Sequence, residues 1–112
     1  MEENISAIAT PHGKGGVAII RISGSTALML ASNMFRPNAK TNVINFQPYR
    51  LYTGEIQTPW FTDYGMCVYF KAPHSYTGED VVEFHCHGGI AITRNILSSL
   101  LNAGATIADR GE

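Results

Sequence analysis

Alternation of apolar and polar positions near the start of the chain predicts two strands separated by a glycine-rich turn. Ile5–Ala9 is a short apolar run, and the glycine-rich segment 10–16 ends it. In Val17–Ser23 the even-numbered positions form one apolar face, whereas Arg21 interrupts the opposite face, which begins apolar. Because an unpaired charge is expensive to bury, Arg21 requires a polar partner.

Two later segments carry apolar residues at helical spacing. The first begins at an N-cap in Gly24-Ser25 and is stopped by Arg36-Pro37; its inner positions are Ala27, Leu28, Ala31, Met34 and Phe35. The second follows Gly88-Gly89 and is closed by Gly104; its inner positions are Ile92, Ile96, Leu97, Leu100 and Leu101. The polar stretch 38–48 between the first helix and the next strand is predicted to be an exposed loop.

Four further segments are predicted to be strands. Tyr49–Gln57 and Tyr64–Phe70 are predicted to pair as a hairpin, and Ala105–Ala108 is predicted to close the sheet. In Asp80–His87 one face is apolar, while the other carries Glu83, His85 and His87. The order β, β, α, β, β, β, α, β lacks a regular βαβ alternation. We therefore expect an α+β fold, with a mixed, largely antiparallel sheet packed against two helices, in a single domain over 1–112.

Composition narrows the possible functions. The 112 residues are 45% hydrophobic and 15% charged, which is typical of a globular domain. A formal net charge of −1 provides no basic field for binding a nucleic-acid phosphate backbone directly. The start has neither a signal peptide nor a membrane span, so we expect a cytoplasmic protein without membrane contact. Cys67 and Cys86 lack CxxC spacing and are expected to be reduced, buried thiols.

Two glycine motifs invite a phosphate-binding interpretation. The turn His12-Gly13-Lys14-Gly15-Gly16 fails the phosphate-loop pattern, which needs an earlier Gly, a Ser or Thr after the Lys, and a following helix. A tight turn that requires positive φ is the favoured interpretation. Gly88-Gly89 leaves backbone N–H groups accessible at a helix start, which suits either an anion or close packing of the helix on the sheet.

The polar face of the strand Asp80–His87 allows several kinds of site. Its two histidines could hold a metal with His12 or His74 as a further donor, but i, i+2 spacing alone is weak evidence, and no metal site is predicted. The alternative is a set of polar side chains that line a pocket or bond at a sheet edge. Arg21 and Glu83 either pair with each other or hold a polar ligand, and spacing leaves both open.

Several motifs resemble one known family over essentially the whole chain. They are Ile8-Ala9-Thr10-Pro11 with Gly13-Lys14-Gly15-Gly16, Ile19-Ile20-Arg21-Ile22-Ser23-Gly24, and Ala72 to Asp80 followed by Val81 to Gly89. These residues are similar to the amino-terminal domain of the tRNA modification GTPase family known as MnmE or TrmE. The closing Arg110-Gly111-Glu112 is similar to the family's Pro-Gly-Glu-Phe junction, with Arg110 in place of proline.

The resemblance implies a domain that binds 5-formyltetrahydrofolate, forms homodimers, and resembles folate-binding domains of aminomethyl-transfer enzymes. In the family, the full-length protein works with an FAD-dependent partner, MnmG or GidA, to install a carboxymethylaminomethyl-type group on the tRNA wobble uridine. Its GTPase domain uses GTP, Mg and K. This chain carries no guanine-nucleotide motif or helical domain, so we expect a non-catalytic amino-terminal part of a longer GTP hydrolase.

The same resemblance implies which residues contact the folate. Arg21 and Glu83 occupy the family's folate-contacting positions, and Glu83 suits a pterin because a carboxylate can accept its exocyclic amine and ring N–H together. Tyr76, His85 and His87 are weaker candidates for lining the pocket. Val17, Ile19 and Tyr76 could cover the apolar ring face. The alternative hypothesis is a small metal-binding or scaffolding domain without folate.

Overall fold

The protein folds as one β-sheet with its helices on one side. In the computed structural model, residues 5–8, 17–75, 78–87, 90–102 and 106–107 are described. The strands in them are β1 (Ile5–Ile8), β2 (Val17–Ser23), β3 (Phe35–Pro37), β4 (Leu51–Gln57), β5 (Thr62–Phe70), β6 (Val81–His87) and β7 (Thr106–Ile107). The helices are α1 (Ala27–Ser32) and α2 (Ile90–Asn102), with a 3₁₀ turn at Val43–Asn45.

Among these residues, the seven strands form one sheet in the order β3-β4-β5-β6-β2-β1-β7. Every neighbouring pair is antiparallel except β1 and β7, which are parallel. β2 and β6 lie side by side although the 57 residues 24–80 lie between them in the chain. The predicted α+β fold with a mixed, largely antiparallel sheet and two helices is confirmed.

The hydrophobic core lies between the sheet and the two helices. Ile20 of β2 and Phe84 of β6 are fully buried there, and they share one cluster with Leu30 of α1 and with Ile96 and Leu100 of α2. Both helices therefore cover the same face of the sheet. We call the opposite face, which carries the odd-numbered residues of β2 and β6, the outer face.

The first helix is shorter than predicted. It ends at Ser32, and Phe35, expected as its last inner position, begins the edge strand β3. Phe35 pairs with Ile56 of β4, and its ring stacks on that of Phe84 with centroids 6.1 Å apart. Strand pairing and ring packing thus outweigh the helical period of the sequence.

The expectation of an exposed loop over 38–48 is only partly right. The 3₁₀ turn buries Val43, and Phe46, three residues later, is buried beside it. The Phe46 ring stacks on Tyr52 with centroids 3.8 Å apart. Residues three apart lie on the same side of a 3₁₀ turn, so two apolar side chains in a polar stretch suffice to anchor it to the core.

The starts of three strands also differ from the prediction, and the smallest difference is that β6 begins at Val81 instead of Asp80. β4 begins at Leu51 instead of Tyr49, because Tyr49 has φ 63°, which extended backbone does not adopt. β5 begins at Thr62 instead of Tyr64.

The edge strand β3 approaches β4 closely. Pro37 of β3 pairs with Gly54 of β4, where an added Cβ would collide with the Arg36 carbonyl oxygen.

Both cysteines are free thiols buried on the core face, as predicted. Burial raises the pKa of the Cys67 thiol far above its ordinary value. Burial, aided by the negative charge of Asp63, raises the pKa of Cys86 to about 11. Neither thiol is therefore a ready nucleophile near neutral pH.

Among the described residues, no helix has the length and apolar character needed to cross a membrane.

Candidate functional site

A charged cluster forms on the outer face where β2 and β6 pair. The register places Arg21 directly opposite Glu83. The Nε and Nη2 atoms of Arg21 both donate to Oε2 of Glu83, at 2.9 and 2.6 Å. The β2–β6 pairing thus brings these two residues together, and the hypothesis that they pair with each other is confirmed.

His85 is the third member of this cluster and contacts the other oxygen of the Glu83 carboxylate. Its Nε2 lies 3.0 Å from Oε1 of Glu83. The Glu83 side chain is 10% exposed, while those of Arg21 and His85 are 23% and 21% exposed. We call these three residues the Arg21–Glu83–His85 cluster. Its carboxylate is buried, but both of its partners reach the surface.

The cluster keeps Glu83 ionised despite its burial. Burial alone would raise the pKa of this carboxyl, but hydrogen bonds from His85 and Arg21, together with the positive charge of Arg21, outweigh burial and lower it. Two donors occupy Oε2 and one occupies Oε1. Since each carboxylate oxygen has two lone pairs, Oε1 retains room for one more donor.

Apolar side chains surround the cluster on the outer face. Ile19 of β2 and Met66 of β5 flank His85 on either side in the sheet register. Both are only half-buried, whereas Val68, which lies beside Glu83, is buried. The arrangement places partly exposed apolar surface next to charged hydrogen-bonding groups, so it can contact both the apolar and the polar parts of a small ligand.

His87 does not join the cluster, although it follows on the same strand face. Its Nδ1 lies 2.8 Å from Oδ1 of Asp63, and its backbone N–H donates to Oδ2 of Asp63 at 3.2 Å. Its side chain is 68% exposed. The sequence reasoning missed Asp63, which lies at the start of β5; only the β5–β6 pairing could have brought it to His87.

A loop over 71–80 connects β5 with β6 at the end of the sheet nearest the cluster. Glu79 accepts a hydrogen bond from the Ser23 hydroxyl at 3.2 Å, and the Asp80 carbonyl accepts one from the Gly24 N–H at 2.9 Å. Ser23 lies two residues from Arg21 on the same strand face. Glu79 and Ser23 were not singled out from the sequence, although both belong to the recognised motifs.

Several predicted positions lie outside the described residues: Tyr76, the glycine-rich turn with His12, and Gly88-Gly89. The side chain of Val17 is likewise not described. His74 is exposed, and its backbone carbonyl accepts a hydrogen bond from Tyr49. Within the described ranges, no group of three or more His, Cys, Asp or Glu residues is arranged to hold a metal ion. Instead, His85 and His87 each pair with a different carboxylate.

Fold and sequence together assign the chain to a family. The family described as "GTP-binding protein TrmE N-terminus" matches residues 4–112. The chain belongs to this family.

Three relatives show how far the likeness extends. The chain is 43% identical over 115 residues to the tRNA modification GTPase MnmE of Syntrophus aciditrophicus, covering 100% of the chain and 25% of that protein. It is 43% identical over 113 residues to the MnmE of Symbiobacterium thermophilum, covering 99% and 25%. The MnmE of Fervidobacterium nodosum is 44% identical over 112 residues, covering 98% and 24%. The chain thus spans about a quarter of the length of the curated relatives it matches.

Proposed function

We propose that this chain is the folate-binding and dimerisation domain of a tRNA modification GTPase. The observation that carries the proposal is the Arg21–Glu83–His85 cluster, which stands on a partly exposed sheet face in a chain of the TrmE amino-terminal family. Its ligand is 5-formyltetrahydrofolate, which supplies a one-carbon unit when bound. The domain itself is non-catalytic.

The donors and acceptors of the cluster suit one edge of a pterin. Oε1 of Glu83 has room for one pterin N–H, and a second pterin N–H can bind Oε2 when one of the two Arg21 donors rotates away. Arg21 then keeps the carboxylate charged and oriented. Ile19 and Met66 provide apolar surface for the ring, and His85 lies between them. His87 and Tyr76 remain weaker candidates for the rest of the ligand.

Calorimetric titration of the chain with 5-formyltetrahydrofolate tests the pocket. We expect micromolar or weaker binding, which Glu83→Gln abolishes because the amide presents an N–H donor where the pterin also presents one. Glu55→Gln is the matched control, since Glu55 lies on β4, two strands away from β6. Equal heats for the unsubstituted chain and Glu83→Gln would contradict the pocket.

Dimerisation is supported by apolar side chains on the outer face beside the cluster. Leu51 of β4 and Tyr64 of β5 are 55% and 63% exposed. Leu51 lies opposite the buried Val68, and among the described residues both helices pack on the other side of the sheet. An apolar surface of this kind is covered at low cost by a second copy, because symmetric dimers use self-complementary patches.

Light scattering over a wide concentration range tests the dimer. We expect a dimer that Leu51→Glu weakens, because the substitution places charge in a desolvated contact. Met29→Glu is the control, since Met29 is 59% exposed on α1, on the helical side of the sheet. A monomer at every concentration would rule out the dimer for this chain.

In the parent protein, the domain serves the modification of the tRNA wobble uridine with a carboxymethylaminomethyl-type group. The parent hydrolyses GTP with Mg and K and acts in the cytoplasm with the FAD-dependent partner MnmG. The names of the relatives support the tRNA and GTPase parts of this proposal. Deleting the gene and restoring it with a Glu83→Gln variant, followed by mass spectrometry of wobble nucleosides, would test whether the pocket serves that modification.

A further inference from the structure

Tyr49 joins the polypeptide that precedes β4 to the 71–80 loop. Its hydroxyl contacts two backbone carbonyl oxygens of that loop, at 3.1 Å from Lys71 and at 2.8 Å from His74. Its backbone N–H donates to the carbonyl of Tyr69 at 2.7 Å. A tyrosine that is 53% exposed is therefore held at both its backbone and its hydroxyl.

The backbone of Tyr49 adopts a conformation that is unusual for its residue type. Its φ of 63° lies in the left-handed region, which disfavours side chains with a Cβ and is rare for aromatic residues. The ring packs edge-on against Phe70, with centroids 6.0 Å apart. Such strain persists only where surrounding contacts over-determine it, and it occurs preferentially at binding sites.

The 71–80 loop that Tyr49 contacts is tied to the strand that carries Arg21. Oδ1 of Asp80 accepts from the Ala72 N–H at 2.9 Å, which links the beginning of the loop to its end. That end contacts Ser23 through Glu79, at 3.2 Å. Asp80 holds the base of the loop beside β2, whereas Tyr49 holds its outer part.

We propose that Tyr49 is a positioning residue that fixes the 71–80 loop for ligand binding at the Arg21–Glu83–His85 cluster, an inference that rests on the proposed folate function. The loop begins and ends next to Phe70 and Val81, which pair two residues along the register from Val68 and Glu83. Near its end, Glu79 accepts a hydrogen bond from Ser23, which lies two residues from Arg21 on the same strand face. Tyr49 acts through the loop and does not itself touch the ligand.

Tyr49→Phe tests this role because it removes only the hydroxyl and keeps the ring that contacts Phe70. Hydrogen exchange measured by mass spectrometry should show amides of segment 71–80 exchanging about 3–10-fold faster, since one net hydrogen bond is lost there. In calorimetry, the dissociation constant for 5-formyltetrahydrofolate should rise by about the same factor. Urea unfolding measures the global stability of the same samples.

Tyr52→Phe is the matched control. The Tyr52 hydroxyl also bonds loop backbone, accepting from the Gln47 N–H at 3.0 Å, but that loop is not the 71–80 loop. We expect Tyr52→Phe to lower stability about as much as Tyr49→Phe while leaving both the exchange of segment 71–80 and the folate affinity unchanged. This difference between affinity and stability separates a positioning role from a purely structural one.

Each outcome decides the inference. Faster exchange with weaker binding in Tyr49→Phe alone supports it. Unchanged exchange overturns it, as does faster exchange with unchanged affinity, or equal loss of affinity in the Tyr52→Phe control. If the unsubstituted chain binds no 5-formyltetrahydrofolate, the proposed function fails and the ligand half of the inference falls with it, while exchange still decides whether Tyr49 orders the loop.

Discussion

Two histidines on the same face of β6, two residues apart, each pair with a mostly buried carboxylate, yet the two pairs differ in the exposure of the histidine and in the presence of an arginine. His85 contacts Glu83 through Nε2, and both side chains are at most about a fifth exposed, at 21% and 10%. His87 contacts Asp63 through Nδ1, and the two side chains are 68% and 12% exposed. Of the two carboxylates, Glu83 alone has an arginine, Arg21 of the neighbouring strand, as a second partner.

The difference shows that the partners of a residue, more than its type or spacing, decide its role. Because ionised carboxylates only accept hydrogen bonds, His85 carries its proton on Nε2 and His87 carries its proton on Nδ1. The first pair lies within a desolvated cluster where an unpaired charge is expensive. In the second pair the carboxylate is also mostly buried, but the His87 ring extends into water, where its charge is screened.

The largest effect is expected when Glu83 loses its cation. Arg21→Met should lower the free energy of unfolding by about 3 kcal/mol, the low end for a broken buried pair, because His85 still contacts the carboxylate. Urea unfolding at neutral pH measures this change. Arg36→Met on the exposed edge strand β3 is the control, and an equally small effect of both substitutions would show that the cluster is solvated like the His87 pair.

The close approach of β5 and β6 at His85 offers a second way to disturb only one of the two pairs. A Cβ added at Gly65 would collide with the carbonyl oxygen of His85. Gly65→Ala should therefore cost about 1–3 kcal/mol, typical of overpacking, and shift the NMR signals of the His85 ring. Gly78→Ala is a useful contrast, because Gly78 has φ 83° with open space around it, so its cost is backbone strain alone. Unchanged His85 signals in Gly65→Ala would argue that the strands adjust without moving the cluster.

Acid titration should distinguish the carboxylate of the cluster from the rest of the protein. Since the folded-state pKa of Glu83 lies below its ordinary value of 4.5, its contribution to stability is present above pH 4.5 and is lost as the pH falls through the folded pKa. Thermal unfolding across this range should show a shallower acid dependence in Glu83→Gln than in the unsubstituted chain. An identical acid dependence would mean that Glu83 has the same pKa folded and unfolded.

The smallest effect is expected at Asp63. Asp63→Asn should lower the free energy of unfolding by only about 1 kcal/mol, because the amide oxygen still accepts one of the two hydrogen bonds from His87. Nitrogen chemical shifts of the His87 ring should nevertheless show a larger share of the Nε2–H tautomer, since the carboxylate no longer holds the proton on Nδ1. A loss of stability as large as that of Arg21→Met would abolish the contrast between the two pairs.

Strand parity made part of the cluster predictable from the sequence. Alternation placed Arg21 and Glu83 on polar faces of their strands, and burial of charge required a partner for each. Their direct pairing needed the β2–β6 register, which joins distant parts of the chain and follows from no local pattern. For the same reason, the sequence grouped His87 with His85 and overlooked Asp63, whose approach depends on the β5–β6 pairing.

The errors in the predicted elements have a common physical origin. Phe35 fits a helical period and Phe46 lies in a polar stretch, but packing against Phe84 and Tyr52 decides where both rings lie. The sequence around Tyr49 does not predict its left-handed backbone conformation, because aromatic residues rarely adopt one. At Phe35 and Phe46, packing against another aromatic ring outweighs the local preference of the sequence.

The edge strand β3 has a consequence for behaviour at high concentration. It is only three residues long and ends in Pro37, which has no N–H to offer to a neighbouring molecule. Pairing of exposed strand edges is a common first step of protein aggregation, and short, proline-terminated edges oppose it. The same strand that seals one side of the core therefore also discourages growth of the sheet beyond its own chain.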